Sequence, residues 1–172
     1  MSRGFAVGSL CFVALVAPAS AGSANLLGVF GTWTAYTQGE GDAMSCFAVS
    51  RPRAVEPKRA KRGAISLIAT DWPARHVKAE FEIVPGYEYR ERTQVVLEIG
   101  ADKFSFFARN QGKEGAAWLE TLSEAQPLID AMKNGVSAVA IGRPRRGAKT
   151  VDTYSLAGFN DALVKIHAAC NM

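Results

Sequence analysis

Residues 77–89 read VKAEFEIVPGYEY. Ala79, Phe81 and Ile83 alternate with Lys78, Glu80 and Glu82, which gives an extended segment one apolar face and one wet face, and Pro85-Gly86 ends it. This spacing predicts a half-exposed antiparallel strand. Residues 93–108, TQVVLEIGADKFSFFA, repeat the pattern. Val95, Leu97 and Ile99 stand against Gln94, Val96 and Glu98, a Gly-Ala-Asp turn follows, and Phe104 and Phe106 share a face on the far side, which predicts a hairpin.

Working outward, weaker strand candidates span Phe30–Thr37, Met44–Ser50, Ala64–Thr70, Val136–Gly142 and Thr150–Leu156, each bounded by Gly, Pro, Asp or a charge run. Residues 22–28 read as a loose lead-in. Two stretches carry helical spacing instead. In SEAQPLIDAMKNG, Ser123 is the expected N-cap, Leu128, Ile129 and Met132 the apolar stripe, and Gly135 the stop. In SLAGFNDALVKIHAAC, Phe159, Ala162, Leu163, Ile166 and Cys170 recur at three- and four-residue steps, one face of a helix that should cap the sheet. Short strands at close spacing favour a mainly β fold: an antiparallel β-sandwich or partly open barrel with two short α-helices, one at the C-terminus.

The ends set the compartment. Arg3, an apolar run from Phe5 to Ala17, Pro18 as breaker and Ala19-Ser20-Ala21 form a secretory signal peptide, with cleavage expected after Ala21. The run is well short of the roughly 20 residues that span a bilayer, so no transmembrane segment is expected after cleavage. The expected product is a single domain over residues 22–172, periplasmic or secreted. Losing Arg3 and no acid lowers the formal charge from +4 by one. Export of a basic chain argues against nucleic acid as a partner and leaves the phosphates of anionic lipids or glycolipids.

Cleavage also leaves two cysteines, Cys46 and Cys170. In an oxidising compartment two cysteines in one domain usually pair, and a bridge here would join an early strand to the C-terminal helix; two buried thiols are the alternative.

The residues that could carry chemistry are few. His76 and His167 stand apart from other ligands and read as surface residues, so neither a metal nor a cofactor is expected. There is no Gly-x-Ser-x-Gly elbow, phosphate-cradling loop or Cys-x-x-Cys pair, hence no catalytic residue is assigned. Glu80, Glu82, Glu88, Glu91 and Glu98 could meet across strands as a hydrolase pair, although alternation alone explains them as a solvated face. Trp33, Trp72 and Trp118 could stack on a sugar or other ligand; strand positions favour the core for them, with Trp72 beside Pro73 the one expected to stay partly exposed.

Two basic segments remain. RPRAVEPKRAKRG carries Arg51, Arg53, Lys58, Arg59, Lys61 and Arg62 between two strand candidates, and its prolines forbid regular helix. GRPRRGAK carries Arg143, Arg145, Arg146 and Lys149 between two others. These ten cations are candidate anion-binding residues if the loops meet at one end of the domain. The alternative is two solvated connections that protect strand edges.

In their order along the chain, FGTWTAY, CFAVSRP, RGAISLIA, PGYEY, VVLEIGADKFSFF, AAWL and the long C-terminal stretch ending GAKTVDTYSLAGFNDALVKIHAAC resemble the invasion-associated locus B family of bacteria. The resemblance covers nearly the whole mature chain. It implies a small exported, mostly periplasmic or envelope-associated protein, named for host-cell invasion in some pathogens, with no established catalytic residues and no cofactor. The density of Arg and Lys over residues 51–62 is a departure from that pattern. Residues and resemblance together indicate an envelope binding or interaction module without catalytic activity, whose partner is an anionic envelope component or an envelope or host protein. A small envelope-polymer hydrolase using acids on the sheet face is the alternative.

Overall fold

Alternation along the strands builds one continuous layer in the computed structural model, which describes residues 23–58 and 60–172. The strands are β1 (Asn25–Phe30), β2 (Trp33–Gln38), β3 (Ser45–Ser50), β4 (Ala54–Glu56), β5 (Ser66–Trp72), β6 (Val77–Val84), β7 (Gln94–Ile99), β8 (Asp102–Gln111), β9 (Glu114–Leu119), β10 (Ser137–Gly142) and β11 (Thr150–Ser155); the helices are α1 (Ala125–Asn134) and α2 (Phe159–Cys170). The sheet order is β1-β2-β3-β5-β6-β9-β8-β7-β10-β11-β4. Every pairing is antiparallel. The expected signal peptide and Arg59 lie outside the described residues.

Residues predicted to face inward do so. Ala79, Phe81, Ile83, Val95, Leu97, Ile99, Phe104 and Phe106 are buried and share one core with the α2 stripe of Phe159, Ala162, Leu163, Ile166 and Cys170. The α2 stripe packs across β1, β2, β3 and β5. There Cys170 bonds Cys46, 124 residues away in sequence, so the predicted disulfide is present.

Three local expectations change. Residues 25–30 form β1 rather than a loose lead-in, because a turn at Gly31-Thr32 folds them back onto β2. That turn is gripped from across the domain: Thr32 N–H donates to Ala157 O at 3.1 Å and Trp33 Nε1 donates to Ser155 O at 3.1 Å. A Cβ on Gly158 would lie 2.0 Å from Phe30 O, and its φ of +89° is left-handed, so this approach requires glycine. Helix α1 starts at Ala125, with Leu122–Glu124 as a 3₁₀ turn, so Ser123 is not its N-cap. His167, expected at the surface, is largely covered, and its Nδ1 lies 2.6 Å from Oδ2 of the fully buried Asp71. The other Asp71 oxygen accepts the Ala79 N–H at 2.8 Å. Because Asp71 is the cross-strand neighbour of Cys46, this pair and the disulfide together tie the end of α2 to β3 and β5.

The basic connection 51–65 crosses between two distant parts of the sheet. The chain leaves β3, crosses to pair β4 with β11 at the far edge, and returns to β5 beside β3. One strap thus links the β3–β5 region to the β4 edge of a sheet that does not close, as expected of a sandwich or partly open barrel.

Candidate functional site

Strand β4 decides where the two basic segments meet. Ala54, Val55 and Glu56 pair with Thr153, Asp152 and Val151, so β4 ends beside the start of β11. The chain beyond it, through Lys58 and Lys61, emerges next to the β10–β11 turn that carries Arg143, Arg145, Arg146 and Lys149. Residues 86–90 lie between the two and hold both. Gly63 N–H donates to Gly86 O, Arg90 N–H to Arg143 O and Arg145 N–H to Glu88 O, each at 2.8 Å, and Tyr89 bridges Pro144. A Cβ on Gly86, at φ +73°, would lie 2.7 Å from Gly63 O, so only glycine permits the first of these contacts.

Lys58, Lys61, Arg143, Arg145, Arg146 and Lys149 are all exposed on this end and form a basic rim. Three acids lie near it, among them Glu91, exposed and next to Arg90, whose N–H donates to Arg143 O. Glu88 reaches Arg145 at 3.4 Å, in a solvated pair of the kind worth about 0–1 kcal/mol, and Glu56 is exposed. Tyr87, Glu88, Pro144, Arg145 and Arg146 line a cleft of about 380 Å³ beside the β10–β11 turn.

Three of the candidate cations stand elsewhere. Arg51 is exposed but lines a separate recess with Thr34 and Tyr36. Arg53 lies at the opposite end of β4, where its N–H donates to Thr153 O at 2.8 Å.

Arg62 leaves the rim altogether. Its Nη1 and Nη2 donate to the two oxygens of Asp152, both at 2.6 Å, its Nε donates to Pro85 O at 2.8 Å, and its guanidinium lies 5.0 Å from the Tyr87 ring centre. The side chains of Arg62 and Asp152 are 4% and 3% exposed, so this cation cannot reach an external anion. Burial opposes its charge, but the hydrogen-bonded Asp152 carboxylate outweighs burial and raises its pKa. Tyr87, Tyr89 and Tyr154 surround the pair, and burial pushes all three phenols up, so they remain neutral. Tyr87 shares a 2.6 Å hydrogen bond with Thr150 Oγ1.

The sheet face holds a second arrangement. Glu80 and Glu82 project from the outer side of β6, and Glu80 accepts from Trp72 Nε1 at 3.0 Å and from Arg75 at 3.4 Å. Glu82 faces Trp118 of β9 in register. Burial, then the charge of Glu80, pushes the Glu82 carboxyl above its usual range. Trp33 is core and Trp72 is half-buried, as anticipated, whereas Trp118 is half-buried on the outer face rather than in the core. Among the described residues, no three His, Cys, Asp or Glu converge as metal ligands, and no helix is long and apolar enough to cross a membrane.

Sequence reading missed the inward turn of Arg62. A signal was present, since Asp152 alternates with Thr150 and Tyr154 on the buried side of β11, and an inward acid in a strand demands a cation.

These features make it a mainly antiparallel β protein, a single unclosed sheet pinned to a C-terminal helix by one long-range disulfide. The family model for invasion associated locus B (IalB) protein matches residues 33–167, most of the chain, and the protein belongs to that family. No curated protein and no solved structure matches it.

Proposed function

We propose that this protein is an exported, non-catalytic binding module of the cell envelope whose basic rim captures phosphate-bearing groups of anionic lipids or glycolipids. The observation that carries this reading is the meeting of two basic loops, distant in sequence, at one end of the sheet. Six exposed cations there outnumber the neighbouring Glu56, Glu88 and Glu91, which favours an anionic surface over a neutral one. The signal peptide read in the sequence and the Cys46–Cys170 bond support an oxidising location outside the cytoplasm. Membership of a family described as invasion associated supports a role at the cell surface or against a host.

The hydrolase alternative needs two carboxyls facing one substrate bond. Glu82 has the half-buried setting of a proton donor, but the Glu80 carboxylate is taken up by Trp72 and Arg75, which favours binding over catalysis. Flotation of the mature chain with anionic against neutral vesicles tests the rim. Binding to anionic vesicles that falls with added salt supports the reading, and equal binding to neutral vesicles contradicts it.

A further inference from the structure

The outer face of β6, β9 and β8 carries a cleft that the basic rim does not use. Strand register sets Glu82, Trp118 and Phe107 in one row across three strands. Their neighbours in sequence, Phe81, Ile83, Ala117, Leu119 and Phe106, are buried, so period-two alternation turns this row to solvent. The Trp118 and Phe107 rings lie 5.9 Å apart at 32°, and the Arg109 guanidinium sits 5.3 Å from the centre of Phe107. Phe107 is 37% exposed, which is a cost in water that a bound ligand would remove.

This face is concave for a local reason. Strands β6 and β9 keep two register pairs, Glu82↔Trp118 and Ile83↔Ala117, while residues 77–81 of β6 have no partner in β9. A recess of about 590 Å³ fills that opening and reaches through it to the inward-facing Ala79, Phe81 and Leu119, and a second of about 190 Å³ lies beyond Trp118, next to Glu82 and Ala116. Trp118, Arg109 and Gln111 line both. Two recesses thus follow one another on either side of one indole; Lys78, Glu80 and Glu120 border the larger, Glu82 and Glu114 the smaller, and Arg109 both.

Few ligand classes fit such a lining. A lipid tail would meet charged groups in the same recess, which costs desolvation without return. A packed protein helix or strand would want a wider apolar patch than two rings. A pyranose ring presents an apolar C–H face and a periphery of hydroxyls, so it can stack on an aromatic ring while its hydroxyls meet charged hydrogen-bonding groups. We infer that this cleft binds an oligosaccharide, with successive sugar rings stacked on Trp118 and Phe107 and their hydroxyls held by Glu82 and Arg109. This second site has a different ligand chemistry from the rim and does not depend on the rim reading.

Calorimetric titration of the mature chain with two uncharged probes, tetra-N-acetylchitotetraose and cellotetraose, tests the site. Binding of at least one probe is expected, persisting at high salt because no net charge is exchanged. Trp118→Ala is expected to weaken it about tenfold or more and Phe107→Ala by several-fold, since each removes a stacking surface. Trp118→Phe, which preserves an aromatic floor, is expected to retain most of the binding and guards against loss through misfolding. Absence of binding by both probes to the folded wild type overturns the proposal, as does binding unaltered by Trp118→Ala. Self-association abolished by Phe107→Ala, with no probe bound, would also overturn it and mark the face as a contact between copies of the chain.

Discussion

Arg62 and Asp152 stand 90 residues apart in sequence and meet through two hydrogen bonds of 2.6 Å where the strap returns from β4 toward β5. The pair fixes the return of the strap: Arg62 is one residue before Gly63, whose N–H holds Gly86, while Asp152 sits in the strand that pairs with β4. Removing one partner leaves the other charge buried. Arg62→Ala and Asp152→Ala are each expected to lower unfolding free energy by about 3–5 kcal/mol, and the double variant by clearly less than their sum. Denaturant unfolding of the three variants checks this, and a near-neutral Arg62→Ala would remove the pair from any structural role.

Glu82 gives a pH signature of opposite sign to most acids. Its folded pKa is raised above the ordinary 4.5 by burial and by Glu80, so the native state favours the protonated form. That contribution is fully present below the unfolded pKa and is lost as pH rises through the raised folded value. Glu82→Gln should therefore be more stable than wild type at about pH 7, with the difference closing toward about pH 4. Thermal melts across that range read the effect, and a gap that widens on acidification would contradict it.

The Cys46–Cys170 bond joins residues separated by 124 positions in sequence. Loss of that constraint on the unfolded chain is worth about 4–5 kcal/mol in the chain-entropy account. Cys46→Ser/Cys170→Ser is expected to melt at markedly lower temperature yet keep α2 docked, because Phe159, Ala162, Leu163 and Ile166 remain buried against the sheet. Adding His167→Ala to that variant removes the contact with Asp71 at the same end of α2, and should release the helix to faster amide exchange before the strands open.

Much of this architecture could be read from pattern because alternation is a local signal. Phe81 and Ile83, Val95 and Leu97, and the α2 stripe each report their own face to their immediate neighbours. Strand β9 was hidden because Gly115, Ala116 and Ala117 lack the size to mark a face; a Cβ on Gly115 would lie 2.7 Å from Tyr87 O, so smallness there serves the packing. Strand β4 was hidden by the charges and prolines around it, and it exists because the edge of β11 offers it partners. Whether a cation in RPRAVEPKRAKRG meets solvent, Asp152 or the neighbouring turn depends on where the strap crosses, which is a tertiary fact. For the same reason Phe107, Arg109 and Trp118 became visible as one cleft only once β8 and β9 were paired.

Binding of residues 22–172 to vesicles rich in anionic lipid, with Arg145→Ala/Arg146→Ala compared against wild type, tests the proposed rim. Each cation near such a surface contributes about 1 kcal/mol, so the double variant should bind about 30-fold more weakly, with a shallower dependence on salt. Equal affinity of the two proteins, at low and high salt alike, would contradict it.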